Sequence, residues 1–125
     1  MSAKVSFRLR HSAMNLEPLT RALGLPVGRI WTSGDNRRTP KDEPLEGIYP
    51  NSYCAMNVVT AEGTIPAAIA VVAAALRAAV DSYPILKSAG LEKSLYCTLV
   101  GQGEILDCKS MASLVEWQIQ LEIDN

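Results

Sequence analysis

The sequence predicts an α+β domain of two layers, in which an antiparallel sheet of about five strands carries helices on one face. Segments of alternating apolar and polar residues are interspersed with segments of helical spacing, in the order β-α-β-β-α-β-α-β. The first six elements match the ferredoxin-like βαββαβ arrangement, and a C-terminal helix and strand follow that core. The 125 residues are predicted to form a single domain, 1–125, which is long enough to bury a core.

The first strand and the first helix are the earliest elements along the chain. Residues 4–10 alternate apolar with charged or hydroxyl side chains, as a strand with one buried face does. Residues 17–23 are predicted to form a short helix that Gly24 ends, because glycine adopts the left-handed conformation of a helix terminus.

Two short strands are predicted next. Residues 29–32 form the second strand, and residues 33–36 have the composition of a turn. A polar loop over residues 37–46 then leads to a third strand within residues 48–59.

The second half of the chain begins with its longest helix. Thr64 is a suitable N-cap, and Pro84 ends or kinks the helix that follows. Residues 94–99 alternate as a fourth strand, and residues 107–116 are predicted to form a short helix. Residues 117–124 alternate most regularly and predict the last strand.

Catalytic and metal-binding motifs are not apparent in the sequence. The cysteines Cys54, Cys97 and Cys108 form no Cys-x-x-Cys pair, and His11 is the single histidine. A nucleophilic pair of His11 with a serine or cysteine would need contact through space, and an inert buried thiol is the alternative for Cys97. We therefore predict no catalytic residue, no metal and no cofactor, and we favour a protein that is not an enzyme.

A cytoplasmic protein without a membrane segment is expected. The apolar run from Ile65 to Leu76 is shorter than the roughly 20 residues that span a bilayer. The first ten residues alternate charged with apolar side chains and lack the apolar region of a signal peptide.

Charge is distributed unevenly along the chain. Residues 1–41 contain eight basic residues and two carboxylates, whereas residues 42–125 contain four basic residues and eleven carboxylates. Folding can either separate these charges into two surface patches or interleave them, and the sequence leaves both outcomes open.

The segment from Trp31 to Arg38 is the first candidate site. A glycine turn with hydroxyl groups and guanidinium groups can hold a phosphate or carboxylate. Alternatively, Trp31 is part of the core, Asp35 shapes an Asx turn and the arginines are solvated. The candidate ligand-binding residues are Arg8, Arg10, Trp31, Ser33, Asp35, Arg37 and Arg38.

The polar row of the last strand is the second candidate site. Carboxylates two residues apart share a face, so the row can serve as an acid/base pair or attract a basic protein partner. A solvated sheet face is the alternative. The candidate partner-binding residues are Glu116, Gln118, Gln120, Glu122 and Asp124.

Nucleic acid is not the expected partner. An RNA-binding sheet presents aromatic side chains on its central strands, and Tyr96 and Tyr53 are the available candidates. An isoelectric point of about 5.8 also argues against nucleic-acid binding.

Three ordered segments resemble a known family. They are Phe7-Arg-Leu-Arg, Leu16-Glu-Pro-Leu-Thr-Arg-Ala-Leu-Gly-Leu-Pro and Trp31-Thr-Ser-Gly-Asp, which look like the opening of the bacterial domain-of-unknown-function family 4279. Gly47-Ile48-Tyr49 stands where that family has Gly-x-Trp, and Leu121-Glu-Ile-Asp resembles its closing strand. The resemblance implies a fold and no established activity.

We therefore predict a non-enzymatic module that binds a protein partner through the open sheet face or an edge strand. An immunity-type role, in which the protein neutralises a bacterial toxin, is one form of this prediction. The alternative is a binder of a small anionic ligand, or a minor enzyme, that uses the Trp31–Arg38 segment with Arg8 and Arg10. Self-association through a sheet edge is a third option.

Overall fold

A computed structural model describes residues 4–99 and 105–124 of the chain. The strands are β1 (Lys4–His11), β2 (Val27–Trp31), β3 (Asn36–Arg38), β4 (Pro44–Ile48), β5 (Ser52–Val58), β6 (Glu92–Thr98) and β7 (Ile119–Asp124). The α-helices are α1 (Glu17–Leu23), α2 (Ile65–Ala79) and α3 (Cys108–Glu116), and a 3₁₀-helix spans Pro84–Lys87.

Five of the strands form one sheet in the order β2-β5-β1-β6-β7, and β3 pairs with β4 in a separate hairpin. The first strand of the chain is therefore central, with β5 on one side and β6 on the other, both antiparallel to it. The prediction of a mixed α and β domain with a five-stranded sheet is confirmed.

The prediction that this sheet is antiparallel throughout is wrong at its edge. Strands β6 and β7 are parallel, with Lys93 opposite Ile119 and Thr98 opposite Asp124. The physical reason is the connection, because α3 lies between the two strands and carries the chain back to the end at which β6 began.

The β3–β4 hairpin lies where a polar loop and the start of the third strand were predicted. Every residue of both strands is exposed, so no alternation between a buried and an exposed face marks them in the sequence. Their pairing is irregular between Asn36 and Arg38, and Gly47 has a φ of 89°. The predicted third strand is shortened accordingly to Ser52–Val58.

One hydrophobic core lies between the sheet and the helices. In β1 the buried side chains are Val5, Phe7 and Leu9, which alternate with more accessible neighbours. All three α-helices contribute buried residues to the same core cluster as these strands. We call this side of the sheet the covered face and the opposite side the uncovered face.

The longest helix, α2, covers the centre of the sheet. Thr64 is its N-cap, and its side-chain oxygen accepts a hydrogen bond from the N–H of Ala67 at 3.3 Å. The small residues Ala68, Ala73 and Ala79 are buried, and their size lets a helix approach its neighbours closely. Within the described residues, none of the helices is both long enough and apolar enough to traverse a lipid bilayer.

The predicted last strand begins two residues later than expected. Trp117 ends α3 instead of starting the strand, and its side chain is only 2% exposed. Gln118 adopts a left-handed conformation with a φ of 52° and turns the chain into β7. Ile119 follows as a buried residue on the covered face.

Candidate binding groove on the uncovered sheet face

The uncovered face carries rows of side chains that run across the strands. Partners in register lie side by side, and one such row is Arg29, Ala55, Arg8, Ser94 and Gln120, from β2 to β7. Ala55 and Ser94 are small, so they leave space between the larger side chains of the row. The resulting groove has a volume of about 520 Å³.

The neighbouring positions complete this groove, which we call the cross-strand groove. On one side lies a second row of residues, Trp31, Tyr53, Arg10 and Glu92, which are adjacent in register. Glu122 of β7 also lines the groove, at its far edge. The alternation along each strand accounts for this placement, because residues two apart share a face.

Arginine and aromatic side chains are paired on this face. A guanidinium over a ring is attracted by the negative face of the π system, while its N–H groups stay available in the plane of the guanidinium. The guanidinium carbon lies 4.2 Å from the ring centroid for Arg8 and Tyr96, 4.7 Å for Arg29 and Trp31, and 5.5 Å for Arg10 and Tyr53.

Trp31 is the centre of an aromatic stack and not a fully buried core residue. Its ring is 4.2 Å from that of Tyr49, with 9° between the planes, and 4.6 Å from that of Tyr53. Its Nε1–H donates to the carbonyl oxygen of Asn51 at 3.0 Å. The stack and this hydrogen bond together fix the orientation of the indole.

Tyr49 connects the β3–β4 hairpin to this stack. Its hydroxyl donates to the carbonyl oxygen of Arg38 and accepts from the N–H of Arg38, both at 3.1 Å. The hydrogen bond from the Arg38 backbone lowers the pKa of Tyr49, and the positive charges of Arg29 and Arg37 lower it further. The hairpin is therefore held against β2 through a side chain that stacks on Trp31.

The arginines of the cross-strand groove have no carboxylate partner in the described part of the chain. Arg29 donates a hydrogen bond to the Arg38 carbonyl oxygen at 3.0 Å, and the Nε atom of Arg8 is buried without a hydrogen-bond partner. The ion pairs of the described residues lie elsewhere and join Arg21 to Glu17, Arg38 to Asp42 and Arg77 to Glu116.

The Trp31–Arg38 segment folds into a turn whose polar groups are partly occupied. The Asp35 carboxylate accepts a hydrogen bond from the N–H of Thr32 at 3.0 Å. The N–H of Ser33 donates to the hydroxyl of Ser52 at 2.9 Å. These two candidate ligand residues therefore shape the turn and attach it to β5.

Arg37 and Arg38 lie on the hairpin side of Trp31. Both are exposed, and Arg38 forms an ion pair with Asp42 at 3.6 Å. Together with Arg10, Arg29 and Trp31 they line a second, shallow cavity of about 630 Å³. The structure thus brings together Trp31 and four arginines around this cavity. Arg8 lines only the cross-strand groove, whereas Arg10, Arg29 and Trp31 line both.

The acidic row predicted on the last strand is divided by the structure. Glu116 lies at the end of α3, where it forms an ion pair with Arg77 at 3.4 Å, and Gln118 lies in the following turn. Gln120, Glu122 and Asp124 remain as a row on β7 and are all exposed. These five residues therefore do not form one surface.

Asp124 is engaged by a tyrosine of the neighbouring strand. The hydroxyl of Tyr96 donates to its Oδ2 atom at 2.9 Å. This hydrogen bond and the negative charge of Asp124 raise the pKa of Tyr96, because ionisation would place two negative charges together.

The surroundings of His11 and Cys54 indicate structural roles for both side chains. The Nδ1 atom of His11 accepts hydrogen bonds from the N–H groups of Ala13 and Met14, at 3.1 and 3.0 Å, and stabilises the turn after β1. Burial raises the pKa of the Cys54 thiol to about 11, which disfavours the nucleophilic thiolate. Among residues 4–99 and 105–124, no group of three or more His, Cys, Asp or Glu side chains is arranged to hold a metal ion.

Several contributors to the groove were not among the candidate site residues, namely Arg29, Tyr53, Ala55, Glu92 and Ser94. Their positions in alternating strands place them on the uncovered face. The register that brings Arg29 into one row with Arg8 and Ser94 joins strands that are far apart along the chain. Alternation was the available signal, but it does not identify neighbours across strands.

Comparison of the chain with models of protein families, with curated proteins and with solved structures finds no match.

Proposed function

We propose that the protein is a non-enzymatic binding module that docks a protein partner on the uncovered face of its sheet. The observation that carries this proposal is the set of arginines, Arg8, Arg10 and Arg29, each placed over an aromatic ring and without an ion-pair partner in the described residues. Tyrosine, tryptophan and arginine are the residue types that dominate binding energy in protein interfaces.

The surroundings of these arginines support docking over catalysis. The groove is open along the sheet, and a guanidinium held on a ring loses little side-chain entropy when it binds. Toxin neutralisation in the bacterial cytoplasm is one form of the proposal. The proposed fold is a ferredoxin-like core related to the domain-of-unknown-function family 4279, and the order β2-β5-β1-β6 supports that core.

Affinity capture from the source cell with charge-reversed variants tests the proposal. Arg8→Glu and Arg29→Glu are expected to weaken binding of the captured partner at least about tenfold, because reversal replaces attraction by repulsion at the centre of the surface. Lys109→Glu changes charge by the same amount on α3 and is expected to leave binding unchanged.

Circular dichroism and thermal unfolding of each variant verify that it is folded. If wild-type protein captures no partner, or if Arg8→Glu binds the captured partner as tightly as wild type does, the docking proposal is wrong.

Binding of a small anionic ligand is the second candidate. The volume of the cross-strand groove, about 520 Å³, lies within the roughly 300–1,000 Å³ that is usual for small-molecule sites. Arg8 and Arg29 would hold the anion in the groove, and Arg37 and Arg38 would hold it if it bound in the neighbouring cavity.

A thermal-shift panel of inorganic phosphate, nucleotides and dicarboxylates tests this alternative. A ligand present at about 100 times its Kd stabilises the folded state by about 2.7 kcal/mol, which is readily measured. A shift that Arg8→Ala abolishes and Arg38→Ala preserves assigns the ligand to the groove, and the opposite pattern assigns it to the neighbouring cavity. No shift with any anion argues against this function.

A further inference from the structure

The charged side chains of the cross-strand groove that lie on the uncovered face are segregated by strand, and Lys93, which also lines the groove, directs its side chain to the covered face. Arg29 lies on β2 and Arg8 and Arg10 lie on β1, so the positive groups occupy one half of the sheet. Glu92 of β6 and Glu122 of β7 line the other half. The groove therefore has a positive and a negative half, and it crosses the strands from one to the other.

The opposite charges form no ion pair across the boundary between the two halves in the described residues. Arg10 is opposite Glu92 in register, yet the two form no ion pair within the described residues. The guanidinium of Arg10 instead lies over Tyr53 of β5, on the side away from β6. Each half of the groove thus retains charged side chains that can pair with a ligand.

The third carboxylate on the uncovered face, that of Asp124, already has a hydrogen-bond partner. Asp124 accepts the hydrogen bond from Tyr96 and lies at the end of β7. The carboxylates of Glu92 and Glu122 accept no hydrogen bond and form no ion pair in the described residues, and both side chains are exposed. They are the carboxylates that remain for a partner.

The strand order sets the separation between the two halves. The middle of the positive half is β5, and the middle of the negative half lies between β6 and β7. These points are about 12 Å apart, because neighbouring strands are separated by about 4.8 Å. An extended peptide covers about the same distance in four residues, and side chains four residues apart point to the same side.

We propose that the cross-strand groove binds a mixed-charge segment of the protein partner, with an acidic side chain at Arg8 and Arg29 and a basic side chain about four residues away, between Glu92 and Glu122 on either side of the Ser94–Gln120 row. Ala55 and Ser94 form the floor on which this segment lies across the strands. The inference rests on the proposed function and adds the chemistry of the partner. A uniformly acidic segment is repelled by the negative half, so the groove discriminates against it.

Fluorescence polarisation with labelled, end-blocked peptides tests the proposal. The peptides share one serine and threonine background and carry either Glu and Lys four positions apart, Glu at both positions, Lys at both positions, or neither. The mixed peptide is expected to bind at least about tenfold more tightly than the others at low ionic strength, where charge interactions are least screened.

Charge reversal of the negative half provides the decisive comparison. In the double variant Glu92→Lys with Glu122→Lys, the preference is expected to change to the peptide with two Glu residues. A variant with Glu62→Lys and Asp81→Lys changes the same amount of charge outside the groove and is expected to retain the wild-type preference.

Two outcomes overturn the inference. One is a mixed peptide that binds no better than the neutral or the doubly acidic peptide, and the other is a preference that the double variant leaves unchanged. In either case a partner whose capture depends on Arg8 still supports docking on this face, so the two proposals fail separately.

Discussion

The two faces of the five-stranded sheet provide different environments for a positively charged side chain. On the covered face, Lys93 of β6 is only 3% exposed, and its ammonium group has a single long hydrogen bond, 3.4 Å, to the carbonyl oxygen of Leu91. On the uncovered face, Arg8 of the adjacent strand lies over the ring of Tyr96. A cation in the interior loses most of its hydration and regains little through one long hydrogen bond, whereas a guanidinium on an aromatic ring keeps N–H groups available for a partner.

This contrast follows from position in the pleat, which places Lys93 on the covered face and Arg8 on the uncovered face. Lys93 stands in the register position of a core residue, opposite Leu9 and Ile119. Burial lowers the pKa of Lys93, because the charged form is the one that loses hydration. Arg8 is opposite Ser94, one residue along from the Leu9–Lys93 pair, and its side chain therefore points to the uncovered face.

The largest expected difference between the faces is in their contribution to stability. Leu95→Ala creates a cavity in the core, because Leu95 is 1% exposed, and is expected to reduce the free energy of unfolding by about 2–5 kcal/mol. Ser94→Ala, next to it in β6 but on the uncovered face, is expected to change stability by no more than about 0.5 kcal/mol. Urea unfolding measures both, and equal effects would contradict the assignment of the faces.

Thiol reactivity should separate the covered face from the solvent-exposed surface of the protein on a kinetic scale. Cys54 points into the core, and its pKa of about 11 leaves at least roughly 100-fold less thiolate near neutral pH than an ordinary thiol has. Iodoacetamide is therefore expected to modify the exposed Cys108 first and Cys54 only after addition of urea. Mass spectrometry of timed samples reports the order, and rapid native labelling of Cys54 would show that the core opens readily.

Removing the buried cation should stabilise the protein. Lys93→Met keeps most of the apolar stem and deletes the ammonium group, so the free energy of unfolding at pH 7 is expected to increase by about 1 kcal/mol. Lys109→Met on exposed α3 is the matched control and should have little effect.

The advantage of Lys93→Met should depend on pH. The folded-state pKa of Lys93 lies below the unfolded value of about 10.4, so between these values the unfolded state binds more protons. Wild-type stability therefore rises with pH through that window, and the difference between the proteins shrinks. Urea unfolding at several pH values from neutral to alkaline measures this trend, and a constant difference would exclude desolvation of Lys93 as its cause.

The smallest expected effect distinguishes two tyrosines of the uncovered side. The hydrogen bond to Asp124 raises the pKa of Tyr96, and the Arg38 backbone with nearby arginines lowers that of Tyr49. Ultraviolet absorbance titrations of Tyr49→Phe and Tyr96→Phe, each subtracted from wild type, should show that Tyr49 ionises at lower pH than Tyr96. The reverse order would mean that these hydrogen bonds do not form in solution.

Several features of the fold could be predicted from local patterns. Alternation identified the buried side of β1 and β6, and Thr64 and Gly24 marked helix ends that the structure confirms. The β3–β4 hairpin was not predicted, because all its residues are exposed and only pairing defines it. Trp117 was assigned to the last strand, since the period of two continues through the end of α3.

The candidate site was predicted in part. Trp31, Arg8 and Arg10 were proposed as ligand-binding residues, and they line the cross-strand groove together. Glu116 and Gln118 were grouped with the last strand, but the helix end and the turn remove them from it. Whether these surfaces bind a partner stays a prediction.

The sequence by itself determined which face of β1 and β6 points into the core, because the two-residue period of a strand is a local property of the chain. Tertiary structure alone decided that Arg29, Arg8 and Ser94 share a row, that β7 runs parallel to β6, and that the charges of the two halves of the chain meet in one groove. The reason is that strand order and register are set by packing between distant segments, which no local pattern records.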